Sequence, residues 1–120
     1  MTPHPPRSNA PIFWSLFGAG GMLSALVGPA LVFVTGLAVP LGFLLSPEAM
    51  DYPRMMAFAG HWAGRIFTLA VISLFLWHAA HRIFHSLHDF GIRTGPITRW
   101  ICYGGAFAGT VTALVALAGL

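Results

Sequence analysis

From Pro11 to Ser46 the chain carries not one charged residue, and a short chain has nothing to bury such a run against in water. A helix needs about 20 apolar residues to cross the hydrocarbon core of a bilayer. The run therefore accommodates one crossing with an interfacial lead-in, and is too short for two crossings and a turn. The rest of the sequence agrees. Apolar residues make up 57% of the 120 residues and charged ones 8%, against roughly 25% charged in a soluble domain. Six arginines, two aspartates and one glutamate cannot coat a water-facing surface.

Several function classes are excluded at this level. The formal charge of +3 comes from scattered arginines with no cluster dense enough to track phosphates, so no nucleic-acid partner is expected. The lone Cys102 excludes an internal disulfide and any multi-cysteine metal or iron–sulfur site, and no metal ligands are assigned. Pro3, Pro5 and Pro6 precede an apolar run too long for a signal-peptide core, so the first helix is expected to be retained.

The pattern predicts an all-α chain, a single membrane-anchor domain over residues 1–120 with three transmembrane helices. Residues 11–45 hold a lead-in at Pro11–Gly20 and a crossing at about Gly21–Phe43. Ser46–Gly60, with Glu48, Asp51, Pro53 and Arg54, reads as an extramembrane loop. The second span covers residues 61–89, with its crossing at Ala63–Ala80 and a helical continuation to about Asp89. Phe90–Thr98, with Gly91, Gly95 and Pro96, reads as a turn. The third span, residues 98–120, is rich in Gly, Ala and Thr, which allow close helix approach. Arg7, Arg82, Arg93 and Arg99 lie toward one face and only Arg54 and Arg65 toward the other. The positive-inside rule then puts the N-terminus in the cytoplasm and the C-terminus outside. Trp14 and Trp100 fall in the cytoplasmic aromatic belt and Trp62 in the opposite one.

Two segments can carry chemistry. In WHAAHRIFHSLHD, Trp77 to Asp89, His78, His81, Arg82, His85, His88 and Asp89 recur at steps of three and four, which line one helical face. Ionisable groups at membrane depth face protein or water rather than lipid and are read as a site by default. The plainer account makes His85, His88 and Asp89 the solvated end of a helix and His78 a neutral histidine bonded to a neighbouring helix. In FWSLFGAGGM, Phe13 to Met22, the aromatics Trp14 and Phe17 lie one turn apart beside Gly18, Gly20 and Gly21. Close packing with an interfacial anchor is the plain account; a flat slot beside an indole N–H is the sharper one. A quinone fits both segments: Trp donates one hydrogen bond, His donates or relays a proton near neutral pH, and Arg stabilises a developing anionic oxygen. The chain carries no electron carrier of its own, so it is not expected to be a quinone oxidoreductase alone, but a non-catalytic subunit of an enzyme complex.

The segments PRSNAPIFWSLFGAGGM, VPLG, AFAGHWAGRIF and LWHAAHRIFHSLHD together resemble the family of fumarate reductase D subunits, the smaller hydrophobic anchors of a four-subunit bacterial enzyme, over nearly the whole chain. The resemblance implies a helical bundle completed by a similar C anchor subunit in the bacterial inner membrane. It implies docking of an iron–sulfur subunit and a flavoprotein at the cytoplasmic face, with FAD and iron–sulfur clusters in those partners only. It also implies oxidation of menaquinol at the anchor, with electrons passing to fumarate in anaerobic respiration. The family's quinone-pocket positions fall on Trp14, Phe17, Gly18, His81, Arg82 and His85. No haem is expected, although the family pattern carries a non-histidine where this chain has His78. Anchors of the related succinate dehydrogenases hold b-type haem through histidines. The alternatives are thus a haem b anchor of that kind, or a small structural or proton-wire membrane protein.

Overall fold

A computed structural model of the chain describes residues 8–120, so Arg7 of the basic N-terminal tail lies outside the described residues. The described residues form helices and turns, with no strand among them. The principal helices are α1 (Ala10–Phe33), α2 (Tyr52–Gly60), α3 (Trp62–Asp89) and α4 (Pro96–Ala118). Three helical stretches are long and apolar enough to cross a membrane: Ala10–Ala38, Trp62–Asp89 and Pro96–Ala118. The central one is α3, which packs against both α1 and α4.

The lead-in and first crossing form one uninterrupted helix. Pro11 sits in its first turn, where a missing N–H costs nothing. Pro29 is tolerated inside it on an exposed position. The helix widens into a π-helical turn at Val34–Ala38, just ahead of Pro40, which has no N–H to continue the ladder. Two wide bonds close the end, Val39 N–H to the Val34 carbonyl at 3.0 Å and Phe43 N–H to the Ala38 carbonyl at 2.8 Å. Regular helix therefore stops at Ala38 instead of running to Phe43. The chain then turns through Gly42 and Leu44, both with positive φ. The hydroxyls of Ser15, Ser24, Thr35, Thr110 and Thr112 each donate to the carbonyl four residues back, so none of them needs a partner in lipid.

Ser46–Gly60 is helical where a loop was expected. A single 3₁₀ turn, Pro47–Met50, leads into α2. Asp51 caps α2 by accepting from the Arg54 N–H at 3.0 Å, with Pro53 in the first turn. That is a helix-start signature in the sequence itself. His61 then caps α3, its Nδ1 accepting from the Ala63 N–H. The Arg65 Nε–H returns to the Ala59 carbonyl. A Cβ on Gly64 would collide with the Phe58 carbonyl, so only glycine allows this tight corner. At its far end α3 stops in a Schellman turn. Gly91 N–H donates to the His88 carbonyl and Ile92 N–H to the Leu87 carbonyl, with Gly91 at φ +74. Only Phe90–Gly95 separates α3 from α4, because Pro96 already starts the next helix.

Close approach of α1 and α3 depends on missing side chains. A Cβ on Gly20 would stand 2.7 Å from the Leu74 carbonyl oxygen and 3.0 Å from the His78 Cβ. One on Gly21 would stand 2.8 Å from the His78 Cε1. Gly28, on the same helix, has nothing within 4 Å. Gly20→Ala is expected to cost about 1–3 kcal/mol through forced separation of the helices. It should lower the unfolding midpoint in detergent, while Gly28→Ala, the same change in open space, leaves the midpoint at its original value.

Candidate functional site

The polar residues of α3 divide by depth. Trp77, His78 and His81 turn into the bundle, whereas Arg82, His85, His88 and Asp89 are exposed. Each of the first group spends a polar atom on a neighbouring helix. The Trp77 indole N–H donates to the Thr110 hydroxyl on α4 at 3.1 Å. The Nδ1 of His78 lies 3.1 Å from the Phe17 carbonyl on α1. A carbonyl only accepts, so this nitrogen carries the proton and His78 is bonded to its neighbouring helix as the plainer account held. The His81 Nδ1 pairs with the Tyr103 hydroxyl on α4 at 3.0 Å.

These bonds bring three helices together around an aromatic cluster. The Phe17 ring stacks on the His81 imidazole with centroids 4.1 Å apart and planes within 14°. Tyr103 lies beside Phe17, Trp77 and Phe84 at 6.2, 6.2 and 5.8 Å. His85 follows His81 one turn on, with ring centroids 4.3 Å apart. Outside the stack, an open apolar recess of about 500 Å³ is lined by Ala10, Pro11, Phe13, Trp14, Phe17 and His81. That volume lies within the usual range of small-molecule sites, about 300–1,000 Å³.

Of the six residues singled out in the sequence, Trp14, Phe17 and His81 share this recess. His85 touches its edge through His81. Gly18 and Arg82 lie outside the lining. Gly18 has open space where a Cβ would stand, so it is not the glycine that seats α1; Gly20 and Gly21 are. Arg82 follows His81 directly, about 100° further round the helix, and is exposed. Sequence reasoning did not single out Tyr103 or Thr110. A lone hydroxyl in a Gly- and Ala-rich run carries no periodic signal, although Tyr103 falls near the start of α4 and so faces the end of an antiparallel α3. The described residues contain no cluster of three or more potential metal-ligating side chains.

Three long apolar helices, the first two joined through α2 and the last two by a short turn, define a multi-pass membrane protein. Comparison with known proteins makes this more specific. The family profile of the fumarate reductase D subunit matches residues 4–118. The fumarate reductase D subunit of Vibrio parahaemolyticus is 46% identical over 113 residues, covering 94% of this chain and 88% of that protein. The corresponding protein of Photobacterium profundum is 40% identical, covering 93% and 92%, and that of a Shewanella strain 42%, covering 92% and 91%. The chain belongs to the family of fumarate reductase D subunits, and is a membrane anchor subunit of that enzyme.

Two substitutions test the α3–α4 bonds. Tyr103→Phe keeps the ring contacts and Thr110→Val keeps the shape, but each removes one interhelical hydrogen bond. In a membrane protein such a bond is worth about 0.6 kcal/mol on average. Each variant should lower the unfolding midpoint of the purified chain in mild detergent by the small shift that loss implies.

Proposed function

We propose that this chain contributes one wall of a menaquinol site in fumarate reductase and helps dock the iron–sulfur and flavoprotein subunits at the cytoplasmic face. A second anchor subunit completes the bundle. The observation that carries the reading is the shared recess of Trp14, Phe17 and His81, with His81 fixed between a stacked ring and a hydroxyl. The chemistry supports it. A planar, apolar ring needs flat aromatic walls, an opening toward lipid and a few polar atoms at its oxygens.

Bound menaquinol supplies two electrons, which leave through the partner subunits to fumarate, and two protons, which must reach water. This chain's residues serve the binding and the protons. The Trp14 indole N–H donates to no acceptor among the described residues and is proposed to donate to a quinone oxygen. Because the His81 Nδ1 is engaged with Tyr103, its Nε2 faces the remaining chemistry. When the Tyr103 O–H donates to Nδ1, Nε2 carries a proton and can donate to a quinone carbonyl. When Nδ1–H donates to the Tyr103 oxygen, Nε2 can accept a quinol proton. His85, adjacent and exposed, offers the next proton acceptor toward water. Arg82 is assigned to electrostatic support of an anionic oxygen from outside the recess lining. Gly18, outside the lining, presents bare backbone one turn along α1 from Trp14.

The orientation that goes with this reading puts the N-terminus of α1, the end of α3 and the start of α4 on the cytoplasmic side of the inner membrane. Arg82, Arg93 and Arg99 gather there, and Arg54 and Arg65 lie at the other end. The exposed Trp14 and Trp100, each 78% exposed, suit the aromatic belt of that face.

The test separates the quinol site from assembly. Trp14→Leu is expected to lower menaquinol-linked fumarate reduction about tenfold, the effect of a lost hydrogen bond to a charged or reacting oxygen, and Arg82→Leu to lower it by less, through loss of a nearby positive charge. Reduction of fumarate by an artificial soluble donor should survive in both. Equal loss of both activities would refute the site and indicate failed assembly. A reduced-minus-oxidised spectrum of the purified complex is expected to lack a b-haem band; such a band would favour the haem-anchor alternative and reassign His78.

A further inference from the structure

The most closely fitted polar group in the bundle lies outside the recess, one turn deeper than His81. The His78 Nδ1–H donates to the Phe17 carbonyl at 3.1 Å, across from α3 to the backbone of α1. The ring lies against a bare patch of α1: a Cβ on Gly21 would stand 2.8, 3.2 and 3.5 Å from Cε1, Nδ1 and Nε2. One on Gly20 would stand 3.0 Å from the His78 Cβ. The residue held by this bond is Phe17, whose side chain forms the 4.1 Å stack on His81 and lines the recess beside Trp14. The same three residues of α3, Trp77, His78 and His81, fix α4, α1 and α4 in turn. His78 is the one whose hydrogen bond reaches α1.

We propose that His78 is a positioning residue for the quinol recess: its bond to the Phe17 carbonyl sets the depth and rotation of α1 on α3, and so the Phe17–His81 stack. This rests on reading the recess as a quinol site. The physical argument is geometric. Glycine contacts set how closely α1 approaches α3 and which face it presents; a directional bond adds a restraint on its exact depth and rotation. A single directional N–H to one carbonyl selects one rotation, and Phe17 is the residue whose carbonyl is selected. Misplacement of an aromatic wall by a fraction of a turn removes ring contact without altering the proton-handling atoms of His81. The expected signature is therefore weaker quinol binding with little change in maximal turnover.

The experiment uses the intact complex in native membranes, with a short-chain menaquinol analogue as donor. His78→Leu keeps the bulk and removes the donor; His78→Asn keeps a donor near the position of Nδ1. His78→Leu is expected to raise KM for the analogue about fivefold, the loss of one hydrogen bond, with kcat within twofold. His78→Asn should return KM to within twofold of the unaltered enzyme, and artificial-donor activity should be unchanged in both. Trp14→Leu, measured in parallel, reports on the recess independently. If Trp14→Leu impairs menaquinol turnover while His78→Leu leaves KM unchanged, positioning by His78 is refuted and the recess stands. Equal damage from Leu and Asn refutes the role of the bond, as does parallel loss of artificial-donor activity, which marks a packing defect alone. An unimpaired Trp14→Leu enzyme refutes the recess itself and the inference with it.

Discussion

The seating of α1 on α3 at Gly20 and Gly21 governs everything else in this bundle. In lipid no hydrophobic force drives one apolar helix onto another, so association rests on close packing and on polar atoms that find partners. Two adjacent glycines bring the α1 backbone against the Leu74 carbonyl and the His78 side chain. At that separation the Phe17 carbonyl falls within reach of an imidazole N–H, and the Phe17 ring lands flat on His81. The recess follows from this contact. The first turns of α1, carrying Pro11, Phe13 and Trp14, project past the stack and leave a hollow open on one side.

Length places that hollow. At 1.5 Å per residue, the helical stretch Ala10–Ala38 and helix α3 each run to about 43 Å, well beyond the roughly 30 Å hydrocarbon core. Part of each helix must therefore tilt or emerge into the interface. The residues that can tolerate water are sorted accordingly: Arg82, His85, His88 and Asp89 are exposed on the last turns of α3, and the inward His81 marks where the bundle closes. On the quinol reading proposed above, a ligand would arrive within the apolar layer and its protons would leave on the wet side.

The three spans were legible because each is a long apolar run with punctuation at its ends. The α2 helix was not read, although Asp51–Tyr52–Pro53–Arg54 carries a cap and a first-turn proline, because charge and proline within a polar stretch weigh toward a loop. The histidine stripe marked the face of α3 that carries His81, and Trp14, Phe17 and His81 line one recess. Their neighbours followed different rules. Position along a helix does not reveal which of three nearby glycines touches a partner, so Gly18 stood equal to Gly20 and Gly21 until the crossing point was known. Arg82 shares a stripe with His81 in a helical projection, yet a difference of about 100° separates a lining residue from an exposed one. Tyr103 and Thr110 depend wholly on which face α4 presents to α3, a property of tertiary packing.

The side-chain bonds between long helices, from Trp77, His78 and His81, all arise within little more than one turn of α3. Toward the other end, the polar bond from Arg65 joins α3 only to its immediate neighbour α2. The spans are thus fastened near the recess and held beyond it by van der Waals contact between apolar surfaces. Local opening costs least where bonds are fewest. The bundle is built like tongs with the pivot near mid-helix: polar bonds from Trp77, His78 and His81 hold the geometry around His81, and the arms toward α2 meet through apolar surfaces.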